Sequence, residues 1–246
     1  MKNKFNPILA LFSGVQIVLS MIFIFAMAAV YNYFVLDNVV VSVIIGFITM
    51  LVGFYNIVYI PRKLKKERYL LNELQKYATN MTFYMQSGYN IINSLKASKR
   101  DLDKEIKKDI DLTIEGLEKD AVLRTVHFNK YNFPAIDIFH QILQVKYDVG
   151  GNSKSLFSKA NKNINFELVK RDELYRRKRQ FKNKIMVMMG MSLVIPLMLR
   201  FTAGELYAAF LSLGYLAIGL NVVLFIANLI SMNFLQKALA DLNIIN

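Results

Sequence analysis

The chain has 246 residues, no cysteine and a formal net charge of +13 at pH 7. Without cysteine, disulfide bonds, zinc–thiolate sites and cysteine nucleophiles are excluded. A soluble protein this basic would suggest nucleic acid as a partner, but here the basic residues are concentrated in one segment. Of the 31 Lys and Arg residues, 27 lie between Pro61 and Lys184, and the other four are Lys2, Lys4, Arg200 and Lys237.

The N-terminal part of the chain is apolar, since Asp37 is the only charged residue from Phe5 to Pro61. A helix that crosses a membrane needs about 20 mainly apolar residues, so this stretch is long enough for two. Asn6–Pro7 suits the start of the first span, Asp37–Asn38 suits a tight turn, and Pro61 suits the end of the second span. The predicted N-terminal transmembrane hairpin comprises residues 1–61, with spans at about 7–34 and 39–60.

The middle segment, residues 62–184, is predicted to be a helical bundle. Its apolar residues recur at helical spacing in five stretches, and no stretch alternates as a strand would. Ser87–Gly88, Asn132–Pro134 and the loop at 148–152 separate several of these stretches. The predicted apolar faces are Leu70, Leu74, Tyr77, Ala78, Met81 and Met85; Ile91, Ile92 and Leu95; Ile106, Ile110, Ile114 and Leu117; Ile136, Phe139, Ile142 and Leu143; and Leu156, Ala160, Ile164, Leu168, Tyr175 and Phe181.

The last helix of this segment runs toward a third apolar stretch without any helix-breaking residue. Either one continuous helix enters the membrane or the helix kinks near residues 182–184, and the sequence favours neither. Arg200 and Glu205 flank the predicted outer turn and are expected to pair. Asn221 and Asn228 are expected to bond neighbouring helices. The predicted C-terminal transmembrane hairpin comprises residues 185–246, with spans at about 185–201 and 206–231 and a short tail.

The basic clusters at 62–66 and 176–179 adjoin predicted spans. Basic residues near the ends of spans keep those ends in the cytoplasm, so the N-terminus, the middle segment and the C-terminus are all predicted to be cytoplasmic. Anionic membrane lipids are expected partners of these clusters. The charge is thereby explained without nucleic acid, and we expect no nucleic-acid binding.

No catalytic constellation is evident. His127 and His140 lie in no metal-binding pattern, and His140 is expected at a helix surface or the edge of the core. The carboxylates from Asp101 to Asp120 alternate with lysines, which is typical of a solvated helix face. We therefore expect no enzymatic activity, no cofactor and no metal site.

Two stretches are similar to a known family. Residues 71–98, LNELQKYATNMTFYMQSGYNIINSLKAS, have an amphipathic helix, a Ser-Gly turn and a short helix with small residues. Residues 133–161, FPAIDIFHQILQVKYDVGGNSKSLFSKAN, have a helix, a Gly-containing turn and the start of a long helix. This order resembles the type II secretion system F domain, and the flanking pairs of spans resemble the platform proteins of Tad and type IV pili.

The resemblance implies a scaffold in a bacterial plasma membrane that couples a cytoplasmic secretion ATPase to the assembly of pilin or pseudopilin subunits. It also implies a paralogous platform subunit or a homo-oligomer. The residues expected to face the ATPase are Lys96, Lys99, Arg100, Gly150 and Gly151. Two alternatives stay open: a membrane adaptor or sensor whose helical domain binds a partner, and, with less support, a channel or transporter.

Overall fold

The computed structural model describes residues 11–150 and 154–240 of the chain. Over these two ranges the protein is all helix and has no strand, as predicted. Four of its helical stretches are long and apolar enough to cross a membrane, so the chain is a multi-pass membrane protein. The α-helices are α1 (Gly14–Leu36), α2 (Val39–Gly53), α3 (Ile60–Gln86), α4 (Ile91–Ser98), α5 (Lys104–Asp120), α6 (Pro134–Val149), α7 (Lys154–Thr202), α8 (Gly204–Ser212) and α9 (Tyr215–Ala240), with a π-helix at Phe54–Tyr59 and a 3-10 helix at Val126–Tyr131.

The backbone contacts divide the chain into two compact units. We call the first the membrane unit; it combines the described residues up to Leu64 with those from Leu174 onward. The second is the helical unit, Lys65–Glu173. It lies within the predicted middle segment, residues 62–184.

The turn between the first two membrane helices is built as the sequence predicts. Asp37 ends α1 with φ 48°, a left-handed conformation that a short polar residue tolerates. The side chain of Asn38 then caps α2 by accepting a hydrogen bond from the amide of Val41 at 3.1 Å. Helix α1 begins at Gly14 after the cap residue Ser13, whereas the predicted start at Asn6–Pro7 lies outside the described residues.

Helices α1 and α2 pack closely because Gly46 of α2 lies at their contact. A β-carbon built at Gly46 would lie 3.2 Å from the β-carbon of Ala29 and 3.2 Å from the ring of Phe25. Such contact is closer than side chains normally allow. Small residues of this kind bring membrane helices together where the hydrophobic effect cannot.

The second apolar helix does not end at Pro61, contrary to the sequence prediction. It passes through the π-helix Phe54–Tyr59 directly into α3. Proline cannot donate a hydrogen bond to the carbonyl four residues earlier, and its ring crowds that carbonyl. The wider π-turn immediately before Pro61, in which the amide of Ile60 bonds to the carbonyl of Tyr55, rearranges the hydrogen bonds at that point.

Of the two possibilities that the sequence left open, the structure has the continuous helix. Helix α7 is one uninterrupted element of 49 residues, with no break at 182–184 and with Pro196 inside it. The predicted fourth span, 206–231, is instead divided between α8 and α9. Gly214 lies at the break with φ 55°, which is a left-handed conformation that glycine adopts without strain.

The core of the helical unit contains the predicted apolar faces of α3, α4, α5 and α6. At its centre the rings of Tyr77 and Phe128 stack with centroids 5.7 Å apart. Phe128 and Phe133 are fully buried but belong to the irregular segment around the 3-10 helix, where helical periodicity gives no signal. On α7 the predicted Ala160 and Ile164 are buried and Leu168 packs against the core. Leu156 and Phe181 are exposed, and Phe157 is buried instead of Leu156.

Candidate functional site

The predicted partner-binding lysines tie α4 to α5. Lys96 Nζ lies 2.6 Å from Glu118 Oε1, and Lys99 pairs with Asp111. All four side chains are partly exposed, so each pair contributes little to stability. The geometry positions the two lysines along α5 and leaves them accessible from solvent.

The remaining predicted residues lie at helix ends. Arg100 lies two residues after the end of α4 and is exposed. Gly150 ends α6 with φ 75°, and its amide donates to the carbonyl of Lys146 at 3.1 Å. Gly151 lies outside the described residues.

The structure brings Lys96 and Gly150 to the same end of α5. Lys96 bonds Glu118 near the C-terminus of that helix, three residues before its left-handed cap Ala121. The hydroxyl of Tyr147, in the last turn of α6, donates to the carbonyl of Ala121 at 2.9 Å. Lys96 and the last turn of α6, which precedes Gly150, therefore both contact the C-terminal end of α5.

Apolar side chains are exposed at this same end. Val122 follows the cap of α5, and Val149, the last residue of α6, is 81% exposed. We call Lys96, Val122, Tyr147 and Val149 the α5-end surface. Aromatic and apolar residues that stay exposed beside charges mark binding surfaces more often than isolated charges do. Sequence reasoning missed the valines, although a valine placed directly before a glycine turn was an available signal.

A buried carboxylate lies on the opposite side of the expected solvated face of α5. Asp109 is almost fully buried and accepts from Tyr131 Oη at 2.5 Å and from Lys130 Nζ at 2.8 Å. Burial, and next the hydrogen bond to Asp109, raise the pKa of Tyr131. The expectation of a uniformly solvated acidic run is therefore wrong at this position, because two side chains from the 3-10 helix cover it.

The imidazole of His127 extends this network. Its Nε2 lies 2.7 Å from the backbone carbonyl of Asp109, so Nε2 carries the proton and donates. Thr113 Oγ1 is 3.2 Å from the same nitrogen. Burial lowers the pKa of His127, which favours the neutral ring. The cluster fixes the 3-10 helix against α5 and contains no nucleophile aimed at solvent.

His140 is a core residue, not the surface or core-edge residue that the sequence predicts. Its ring lies 4.5 Å from the ring of Phe128 between centroids, and its Nε2 is 3.3 Å from Tyr77 Oη. Burial lowers the pKa of His140 to about 3, so the ring is neutral at physiological pH.

Glu73 positions the start of α5. This buried carboxylate of α3 accepts from the backbone amide of Asp103, the cap residue of α5, at 2.8 Å. Its other oxygen accepts from Lys76 at 2.6 Å. Helix α5, which carries the acidic partners of Lys96 and Lys99, is thus held at its first turn by α3.

Polar side chains in the membrane unit join helices to one another. Asn221 Nδ2 lies 3.4 Å from Asn32 Oδ1, and Asn228 Nδ2 lies 3.4 Å from Ser192 Oγ. Both asparagines therefore contact neighbouring helices, as predicted. Arg200, in contrast, bonds Asp37 rather than the predicted partner Glu205. Tyr207 also accepts from Arg200 and contributes to this cluster at the turns between membrane helices.

Among residues 11–150 and 154–240, no group of three or more His, Asp and Glu side chains is arranged to hold a metal ion. No protein-family model, no curated protein and no solved structure matches this chain.

Proposed function

We propose that the protein is a platform of a type II secretion or Tad or type IV pilus assembly machine, in which it couples a cytoplasmic secretion ATPase to pilin assembly. The observation that carries the proposal is the order of elements. A helical unit of α3, α4, α5, α6 and the start of α7 is inserted in the chain between two pairs of apolar helices. That order supports the sequence resemblance of residues 71–98 and 133–161 to the platform family.

The α5-end surface is the proposed contact for the ATPase. It contains the predicted residue Lys96 together with the exposed Val149, which directly precedes the predicted Gly150. Interfaces gain most of their binding energy from a few apolar or aromatic side chains, whereas charges at the rim mainly set specificity. The membrane helices would engage pilin subunits within the bilayer.

Deletion of the gene tests the machine itself. We expect the deletion strain to lose surface filaments or pilus-dependent secretion, and a plasmid copy to restore them. Electron microscopy of the cell surface and assay of the secreted substrate give the readout. Normal assembly in a strain that also lacks any paralogue would contradict the proposal.

A pair of valine variants tests the ATPase contact. Val149→Ser removes an exposed apolar group from the α5-end surface and should weaken co-purification of the ATPase by about tenfold. Val169→Ser on α7 is the matched control, because Val169 is also an exposed valine of the helical unit. Equal binding by both variants would place the contact elsewhere. A purified partner that is not an ATPase would favour the adaptor alternative.

A further inference from the structure

The charges of the membrane unit are one-sided. Over its described residues the acidic side chains are Asp37 and Glu205, and both lie at turns that connect membrane helices. Asp37 is paired with Arg200, at 3.4 Å. The other end of the unit carries basic residues: Arg62, Lys63, Arg176, Arg177, Lys178, Arg179, Lys182, Lys184 and Lys237.

The depth of this basic end follows from helix geometry. The contact of Arg200 with Asp37 marks the outer boundary. The hydrocarbon layer is about 30 Å thick, which corresponds to about 20 helical residues. Counting that distance back from Leu36 along α1 reaches Gln16, which accepts a hydrogen bond from Arg62 at 3.3 Å. The same count from Arg200 along α7 reaches Gln180, so the neighbouring basic residues lie at the inner headgroup boundary.

One lysine at this depth is on the side of α7 that faces the other membrane helices. Tyr175 packs against the apolar cluster that includes Leu64 and Leu239, and the carbonyl of Leu193 accepts from Tyr31 Oη at 2.9 Å. Steps of three and four residues from Tyr175 to Leu193 pass through Lys182, so Lys182 shares their face. It is half-buried, whereas Lys184 lies about 200° further around the helix and is exposed.

Lys182 is half-buried and has a second positive charge, that of Arg179, one turn away on the same helix. A half-buried ammonium next to a guanidinium is unfavourable unless an anion joins them. Exposed apolar side chains, among them Phe181 and Val187, surround this position on α7 and suit acyl chains.

We propose that Arg179 and Lys182 bind the headgroup phosphate of an anionic phospholipid at the cytoplasmic boundary of α7. The phosphate layer of the inner leaflet lies at the depth of these two residues, which favours a lipid over a soluble phosphate. The negative charge of the phosphate lies between the two cations and offsets their mutual repulsion, and the acyl chains of the lipid lie against the apolar surface of α7. This site is more specific than general attraction of a basic protein to an anionic membrane.

Native mass spectrometry of the full-length protein in a nonionic detergent tests the site. The protein is titrated with phosphatidylglycerol or with phosphatidylcholine, and we expect retention of the anionic lipid only. Lys182→Gln should lower the affinity for phosphatidylglycerol about fivefold, whereas Lys182→Arg should preserve it. Lys184→Gln is the matched control, since it removes one positive charge at the same depth from another face of α7.

Three results would overturn the proposal. Equal losses in Lys182→Gln and Lys184→Gln would indicate diffuse attraction without a site. Equal binding of phosphatidylcholine would show that the negative charge of the lipid is not recognised. Competition by millimolar inorganic phosphate would identify a soluble anion as the ligand. Should Lys182→Gln not fold, Arg179→Gln allows the same comparison, because Arg179 is exposed.

Discussion

Asp109 is the residue on which the polar network of the helical unit depends. Its two carboxylate oxygens accept from Lys130 and Tyr131, and its backbone carbonyl accepts from His127. The three donors belong to the 3-10 helix Val126–Tyr131. The carboxylate therefore holds this short segment against α5.

Asp109→Asn should destabilise this segment. The amide nitrogen of asparagine cannot accept, so one of the two donors loses its partner, at a cost of roughly 2 kcal/mol. Hydrogen exchange measured by mass spectrometry on the full-length protein should be faster in peptides covering Val126–Tyr131. Glu115→Gln on the same helix is the control, because Glu115 pairs with Lys119 at the surface and its loss should leave exchange unchanged.

His140 should make the helical unit less stable in mild acid. Its pKa in the folded state, about 3, lies below the value near 6.5 expected when it is unfolded. As the pH falls through 6.5 the unfolded chain binds a proton and the folded chain does not, so stability present at neutral pH is lost. The loss at pH 5.5 should be about 1.4 kcal/mol.

The contribution of His140 can be isolated by substitution. Urea unfolding of the wild type and of His140→Gln at pH 7.5 and 5.5, monitored by tyrosine fluorescence, should show a smaller pH effect in the variant. His127 and the carboxylates titrate in both proteins and cancel in the comparison. The same pH effect in both proteins would mean that His140 is accessible to protons in the folded state.

At the scale of elements, the absence of a side chain at Gly46 lets α1 and α2 approach closely. Gly46→Leu would force the β-carbon and its branches against Ala29 and Phe25 and should cost about 1–3 kcal/mol. Thermal unfolding in detergent measures the effect. Gly219→Leu on α9 is the control, since nothing lies within 4 Å of a β-carbon built at Gly219. A similar loss in both variants would show that α1 and α2 are not held by this contact.

Helices with a regular apolar face could be predicted from the sequence, and irregular ones could not. The faces of α3 and α5 are periodic over several turns, and their predicted residues, such as Leu74 and Ile110, are fully buried. The 3-10 helix has no such period, so the burial of Phe128 was missed. The interruption between α8 and α9 depends on the left-handed glycine Gly214, and glycine alone does not reveal its backbone conformation.

The candidate site, too, could be predicted only in part from the sequence. The basic character of Lys96 and Lys99 is visible in the sequence, and both are accessible as expected. Their partners Glu118 and Asp111 belong to another helix, and the choice of partner depends on how α4 packs against α5. The burial of Asp109 likewise requires the fold, because its partner Tyr131 is 22 residues further along the chain.

At the scale of the whole molecule, the distribution of charge predicts the orientation in the membrane. The chain has no cysteine, so an introduced cysteine is its only thiol. On intact cells a membrane-impermeant maleimide should label Glu205→Cys at the outer turn but not Lys159→Cys in the helical unit. After permeabilisation both should react. Labelling of Lys159→Cys alone in intact cells would reverse the orientation.

The π-helix at Phe54–Tyr59 has a consequence for the spacing of residues along the chain. A π-turn accommodates one residue more than an α-turn, so it acts as a single-residue insertion that the helix absorbs without ending. A chain shortened by one residue here could form an ordinary α-helix. Leu64 would then point about 100° away from the apolar cluster that it now shares with Phe12 and Leu239. The length of this short segment therefore sets which side of the following helix faces the apolar cluster.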